Sequence, residues 1–188
     1  MDGSRPGQQV VTADGVRLAG WGWRLLAALL DGLITSILVT AATFPIYLAT
    51  VPKLSAVVEG YLAAQQSGAT PPALDLTAIY TVQQRWTLMV AMLVIGLAYH
   101  MVFLRWKGAT VGKMVCGLRV VPLDQGTYEG RLSWNTVAVR SVVWVVPGVF
   151  SVLILVSVAD VLFPLWQAKR QALHDVLART QVTRPVRR

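Results

Sequence analysis

Asp31 stands inside a run of apolar residues, seven positions after Arg24. No charged residue occurs between Gly32 and Pro52, so Trp23 to Leu48 is long enough to cross a hydrocarbon core of roughly 30 Å at ~1.5 Å per residue. A carboxylate about 10 Å along such a segment costs roughly 2.5–3.5 kcal/mol on insertion scales, so it is expected to have a partner or a task. The task its chemistry offers is reversible binding of a proton or a small cation, because burial away from water favours the neutralised form. The plain alternative is a structural charge pair that fixes helix packing. Arg24 and Asp31 share a helix face but lie ~10.5 Å apart in rise, too far for an easy bridge within one helix. Each therefore needs another partner, and Arg140 and Asp160, both set in the last apolar region, are the candidates.

The remaining ionisable groups suggest anchoring. Asp175 lies in a short helix-like segment, Arg170 to Ala178, where pairing with Arg24 or Arg119 would latch the carboxyl-terminal helix onto the bundle. His174 is its neighbour, but adjacent helical residues point about 100° apart and no serine or cysteine motif accompanies them. No catalytic residue is expected, and the chain does not read as an enzyme. His100 and His174 lack spaced partners for zinc, so neither a metal nor a cofactor is expected. Gly108 to Lys113 reads GATVGK, whereas a phosphate-binding loop needs four residues between its glycines and Ser or Thr after the lysine. Nucleotide binding is excluded on that spacing. Lys113, Arg105 and Lys107 are instead expected to meet lipid headgroups.

Composition sets the setting for these groups. The chain has 188 residues, 55% of them hydrophobic and only 14% charged, with a mean hydropathy of +0.56. That is too apolar for an ordinary soluble domain and indicates an integral membrane protein. The net charge of +8 brackets apolar segments instead of forming one basic, aromatic-studded face, which argues against nucleic acid and for anionic headgroups. One cysteine, Cys116, rules out an intramolecular disulfide. The first apolar run is long and starts after some twenty polar residues, so it is expected to remain in the mature protein.

The elements that must position these residues follow from hydropathy. Residues 1–16 read as a disordered cytoplasmic tail, 17–184 as the membrane domain and 185–188 as a basic tail. Spans are expected at about 20–48, 78–105, 133–146 and 149–167. In the first, Gly20, Arg24, Ala27, Asp31, Thr35 and Ala42 form a small and polar stripe for the bundle, while Leu25, Leu26, Leu29, Leu33 and Ile37 suit lipid. The loop 49–77 holds a surface helix of about a dozen residues, with Asp75 capping the next helix. The loop 106–132 holds a short interfacial helix, marked by the repeat of Val111, Met114, Val115 and Leu118 and stopped by Gly117, and a small hairpin pairing Leu118 to Pro122 with Thr127 to Leu132. Trp134 to Trp166 is broken by Pro147-Gly148 into two pieces each short for an upright crossing, so it reads as either one long span or a shallow or tilted helical hairpin, with the hairpin favoured. The cation count supports the return: six Lys or Arg over 105–140, six over 169–188 and three up to Arg24, against two over 49–85. The positive-inside tendency then places both termini in the cytoplasm. The seven tryptophans fall near span ends, with Trp144 at the outer border. The expected fold is thus all-α and membrane-integral, with two full spans, a Pro-Gly-broken hairpin, an interfacial helix and a small β-hairpin.

In this order, GWGWRLLAALLD, GATVGKMVCGLRVV, Arg140 and RQALHDVLART resemble the RDD family of small prokaryotic membrane proteins, over roughly residues 17–184. The family takes its name from one arginine and two aspartates, which match Arg24, Asp31 and Asp175. The resemblance implies a bacterial plasma-membrane protein; transport of an unknown ligand has been proposed for the family, and some members are linked to cation/proton exchange. Two function classes follow as expectations. One is small-cation/proton transport by an oligomer, and the other is a non-catalytic accessory or scaffold subunit of a larger membrane complex.

Overall fold

The computed structural model describes residues 10–70 and 79–184. It divides into two compact units, one formed by residues up to Ser36 together with those from Leu93 onward, the other by Ile37–Met92.

The first unit carries most of the polar groups of interest. Helix α1, Trp21–Ala42, enters it through its amino-terminal half, and α3, Val82–Lys107, through its carboxyl-terminal half. Both are long and apolar enough to cross a membrane, with mean hydropathies of 2.1 and 2.2. Leu26, Leu29 and Leu33 of α1 are exposed, as a lipid-facing stripe requires, while Ala27 and Asp31 are buried. Leu25 departs from that expectation, because it lines a cavity between the helices of this unit. Behind α3 come the short helix α4, Val111–Val115, and strand β1, Arg119–Pro122. Helix α5, Trp134–Val149, starts where Ser133 Oγ accepts the Thr136 amide, and Gly96 of α3 packs so closely on it that a Cβ would lie 2.9 Å from Val145 Cγ1. Small residues at such contacts let membrane helices approach.

The last apolar region bends rather than crossing straight. Helix α5 and the segment Ser151–Leu165, which contains α6, Ile154–Leu162, meet at 112°. The break falls at Phe150, in extended backbone, and not at Pro147-Gly148, which stay within α5. A proline near a helix end removes one hydrogen bond without ending the helix. Helix α7, Leu173–Leu177, and strand β2, Thr180–Thr183, close the unit.

The expected local hairpin is replaced by a longer-range pairing. β1 pairs antiparallel with β2, Val120 opposite Val182, and β2 is bordered on its other side by residues 17–19, Ala19 N–H donating to the Val182 carbonyl at 2.9 Å. Val120, Val121 and Val182 are buried with Leu18, Ala19 and Leu118, so apolar burial selects this register over pairing with the polar Thr127–Arg131 stretch. The amino-terminal segment is likewise ordered from residue 10. Asp14 accepts hydrogen bonds from the Gly126 and Thr127 amides and from Thr127 Oγ1, each at 2.8 Å. Of the tail expected over 1–16, residues 1–9 lie outside the described residues, as do 185–188 and the helix cap expected at Asp75.

In the second unit α1 ends at Ala42, short of the expected span end, and Thr43 leads into α2, Phe44–Ser67. This helix has 24 residues, about twice the expected length, because Pro52 does not stop it. Ser55 Oγ donates to the Pro52 carbonyl and Thr50 Oγ1 to the Tyr47 carbonyl. It ends at Gly68, whose φ of +69° suits glycine.

Candidate functional site

The first unit gathers its buried charges into three clusters, all on residues of α1, α3, α4, α5, α6, α7 and β2. The first surrounds Asp31, 2% exposed. Tyr99 Oη donates to Oδ1 at 2.7 Å, the Gly112 amide to the same oxygen at 2.7 Å, and Thr110 Oγ1 to Oδ2 at 2.5 Å. Lys113 Nζ stands 3.6 Å from Oδ2. Free amides at the start of a helix are common partners for anions, and here the anion is a carboxylate of the same chain. Gly112 is required for the approach, since a Cβ there would strike the Ala27 carbonyl and lie 2.8 Å from Asp31 Oδ1.

The second cluster centres on Asp175, which is fully buried. Arg24 Nη1 donates to Oδ2 at 2.7 Å, and Arg140 Nη1 donates to Oδ1 and, at 2.5 Å, to Thr180 Oγ1. Asp175 also accepts the Ala172 amide at the start of α7. Burial opposes its charge, but the opposing charges, Arg140 first among them, outweigh burial and hold the carboxyl below its usual range. The third cluster is Asp160 with His174. Asp160 accepts the His174 amide at 2.9 Å and faces its Nδ1 at 2.6 Å, while Nε2 lies 3.4 Å from Asp175 Oδ1. Burial is the largest influence on this imidazole and favours its neutral form, against the opposing field of Asp175.

The clusters meet around a cavity of about 50 Å³. Its wall includes Arg24, Lys113, Arg140, Asp160, His100 and His174, with Trp21 and Trp144 among the apolar lining. Trp144 stands between the two imidazoles, its ring centre 6.3 Å from His100 and 5.4 Å from His174. Trp21 Nε1 donates to the Val161 carbonyl at 2.9 Å.

The sequence from Leu18 to Arg179 matches the RDD family throughout. The chain belongs to the RDD family. Among curated proteins, the uncharacterized membrane protein YteJ of Bacillus subtilis (strain 168) is 32% identical over 94 residues, which cover 50% of this chain and 51% of that protein. The chain thus spans about half the length of that relative. No solved structure matches it.

In this RDD protein the three matched residues fall into two sites. Arg24 and Asp175 are bonded to each other, whereas Asp31 is held separately by α4. Arg140 and Asp160 do not meet Asp31; they pair with Asp175 and His174. Arg119 makes no contact with Asp175 and instead lies in β1, where its carbonyl accepts Thr183 Oγ1. Lys113 turns inward to Asp31 and not to headgroups, its side chain 16% exposed. Arg105 lies over the Trp134 ring at 5.4 Å, and Lys107 is exposed. Trp144 is half-buried beside the cavity instead of at an outer border. Tyr99, Thr110 and Gly112 were not singled out as Asp31 partners in the sequence. The signal for them is Thr-Val-Gly-Lys at a helix start, a pattern that presents a hydroxyl, an amide and an ammonium to one anion.

Proposed function

We propose that the protein transports a small ion in a proton-linked manner, with the cavity as its working site. The observation that supports this is the convergence of ionisable side chains from α1, α3, α4, α5, α6 and α7 on one cavity. Ionisable groups within membrane segments are costly, and those facing an interior cavity commonly serve ion or proton pathways. Within the cavity the exchanging pair is Asp160 with His174, because both line the cavity whereas Asp31 does not and is held by four donor groups outside it. The protein sits in the bacterial plasma membrane with both termini in the cytoplasm, which the clustering of Lys and Arg favours.

The test is flux in proteoliposomes carrying a pH gradient, with Na⁺ and K⁺ and, separately, with phosphate and acetate. The wild type is expected to move an ion against protons, and Asp160→Asn and His174→Gln to remove that flux without loss of folded protein. An inactive wild type, or variants that transport normally, refutes the reading. Orientation is tested separately with a chain carrying Cys116→Ala and Gln125→Cys, since Gln125 is exposed. An impermeant maleimide should label it only after the membrane is opened.

A second reading is an accessory or scaffold subunit, favoured by the complete engagement of Asp31 and Asp175 with partners of their own chain. Recovery of a stoichiometric partner from native membranes, together with no flux, supports that alternative.

A further inference from the structure

The wall of the cavity is unequal in charge. Arg24, Lys113 and Arg140 line it, against a single carboxylate, Asp160, whose oxygens already accept the His174 amide and face the His174 ring. The carboxylates that pair with the three cations, Asp31 with Lys113 and Asp175 with both arginines, do not line it. Two buried nitrogens on wall residues also lack acceptors among the described residues. Arg140 Nη2 and Arg24 Nε are buried without a hydrogen-bond partner. His100 is 5% exposed and lines the cavity, and its ring makes no hydrogen bond there. Leaving a buried donor unsatisfied costs about 1–3 kcal/mol, more on a charged group, so such a set is expected where an acceptor binds.

We propose that the cavity is a binding site for an oxyanion, a carboxylate or phosphate group that takes its hydrogen bonds from Arg24, Arg140, Lys113 and His100. The apolar remainder of the wall, Trp21, Leu25, Trp144 and Val161 among it, fits the carbon portion next to that group. A volume of about 50 Å³ accommodates a group of this size, or several waters, but not a large ligand in full. The same chemistry is supplied by a phospholipid headgroup and by a free small anion. The inference rests on the cavity being the working site, and it gives the transported or bound species the opposite sign from the cation expected from the sequence.

The test uses the full chain in lipid-stripped detergent, titrated with sodium phosphate and with sodium acetate at constant ionic strength set by sodium chloride. Trp21 and Trp144 line the cavity, so tryptophan emission reports occupancy. In parallel, the protein in nanodiscs of phosphatidylcholine, with or without phosphatidic acid, is released into native mass spectrometry to count retained lipid. A saturable emission change with phosphate or acetate assigns a free anion; retention of phosphatidic acid without any such change assigns a lipid headgroup. Ala28→Leu fills the cavity and leaves every charge in place, so it should weaken either signal at least tenfold. If that variant does not fold, His100→Phe serves, because it keeps an aromatic ring at that place and removes the nitrogens. No response to any of the three anions, or responses unchanged in the folded variant, overturns the inference. Binding without flux leaves the oxyanion site standing and sinks the transport reading. Proton-linked Na⁺ or K⁺ flux with no anion response does the reverse.

Discussion

Replacing Asp31 with asparagine separates a structural clamp from a transport site. Oδ1 receives Tyr99 Oη and the Gly112 amide, and Oδ2 receives Thr110 Oγ1 with Lys113 nearby at 3.6 Å. An asparagine oxygen at the Oδ1 position keeps the first two bonds in weaker, neutral form. Its NH₂ then meets Thr110, whose hydroxyl can rotate to accept, and Lys113, which cannot. Removing one partner of a buried pair costs about 3–5 kcal/mol, the upper part of which is avoided if the stranded group sheds its charge. Burial already pulls the Lys113 ammonium below its ordinary value, against the opposing field of Asp31, so deprotonation is the easier exit. The expected loss is therefore about 3 kcal/mol. Unfolding in mixed SDS micelles, followed by tryptophan emission, measures it. The double variant Asp31→Asn with Lys113→Met should recover about 1–3 kcal/mol relative to the sum of the single changes, because it removes the stranded cation as well. Additive losses, or a single-variant cost below about 1 kcal/mol, would refute the clamp. A stable Asp31→Asn protein that had lost transport would restore Asp31 as the ion site.

Other perturbations follow from the same geometry. Gly112→Ala should destabilise by about 1–3 kcal/mol in the same assay, since its Cβ would crowd the Ala27 carbonyl and Asp31. Asp175→Asn strands two buried guanidinium groups and should cost about 3–5 kcal/mol, seen as loss of the monodisperse peak in size-exclusion chromatography. Asp14 has its carboxyl held low, first by the Thr12 hydroxyl and then by the Thr127 amide and hydroxyl. Because its folded pKa is depressed, the stability it gives the 10–18 clip is present above roughly pH 4 and fades as the pH falls further; amide exchange at Gly126 and Thr127 should accelerate there, and Asp14→Asn should abolish the pH response. Cys116 is 5% exposed, and burial pushes its thiol up, so a maleimide should modify it only after unfolding.

The spans were legible because a membrane helix is written as a long apolar run, and α1 and α3 carry theirs almost without interruption. The polar stripe on α1 was legible at its centre for the same reason, Ala27 and Asp31 being buried while Leu29 and Leu33 are exposed, but it does not extend to Ala42, which is exposed. What the sequence hid was partner choice. Asp31 pairs with residues 68 to 82 positions away, on the end of α3 and the start of α4, and no periodicity encodes which of several cations will fold back onto a given carboxylate. The β pairing was hidden similarly. Residues 118–132 contain two strand-like stretches with a turn between them, yet β1 takes a partner some sixty residues on, because Val182 and Thr183 bring apolar contacts and a second edge at residues 17–19. Trp144 shows the limit of the headgroup rule, since a ring close to a predicted turn was drawn instead between two imidazoles.

Two aspartates with the same side chain are thus put to different use by their surroundings. Asp31 meets four donor groups from α3 and the α4 start, an arrangement that ties the loop after α3 to the middle of α1. Asp175 meets two arginines from α1 and α5 and ties α7 to both. Neither carboxylate reaches the cavity, and each turns its cations into a wall whose charge is held from the rear. That placement explains why buried arginines tolerate the low-dielectric interior without filling the space they line: their compensation comes from one side, leaving the other for whatever group enters. A bundle built only for packing would gain more from apolar side chains at Arg24, Arg140 and Asp175, so the triple change Arg24→Met, Arg140→Met and Asp175→Leu, which leaves no member of that cluster's ion pairs stranded, is the decisive comparison. If this triple variant folds at least as stably as the wild type and loses every ligand response, the charges are there for the cavity and not for the fold.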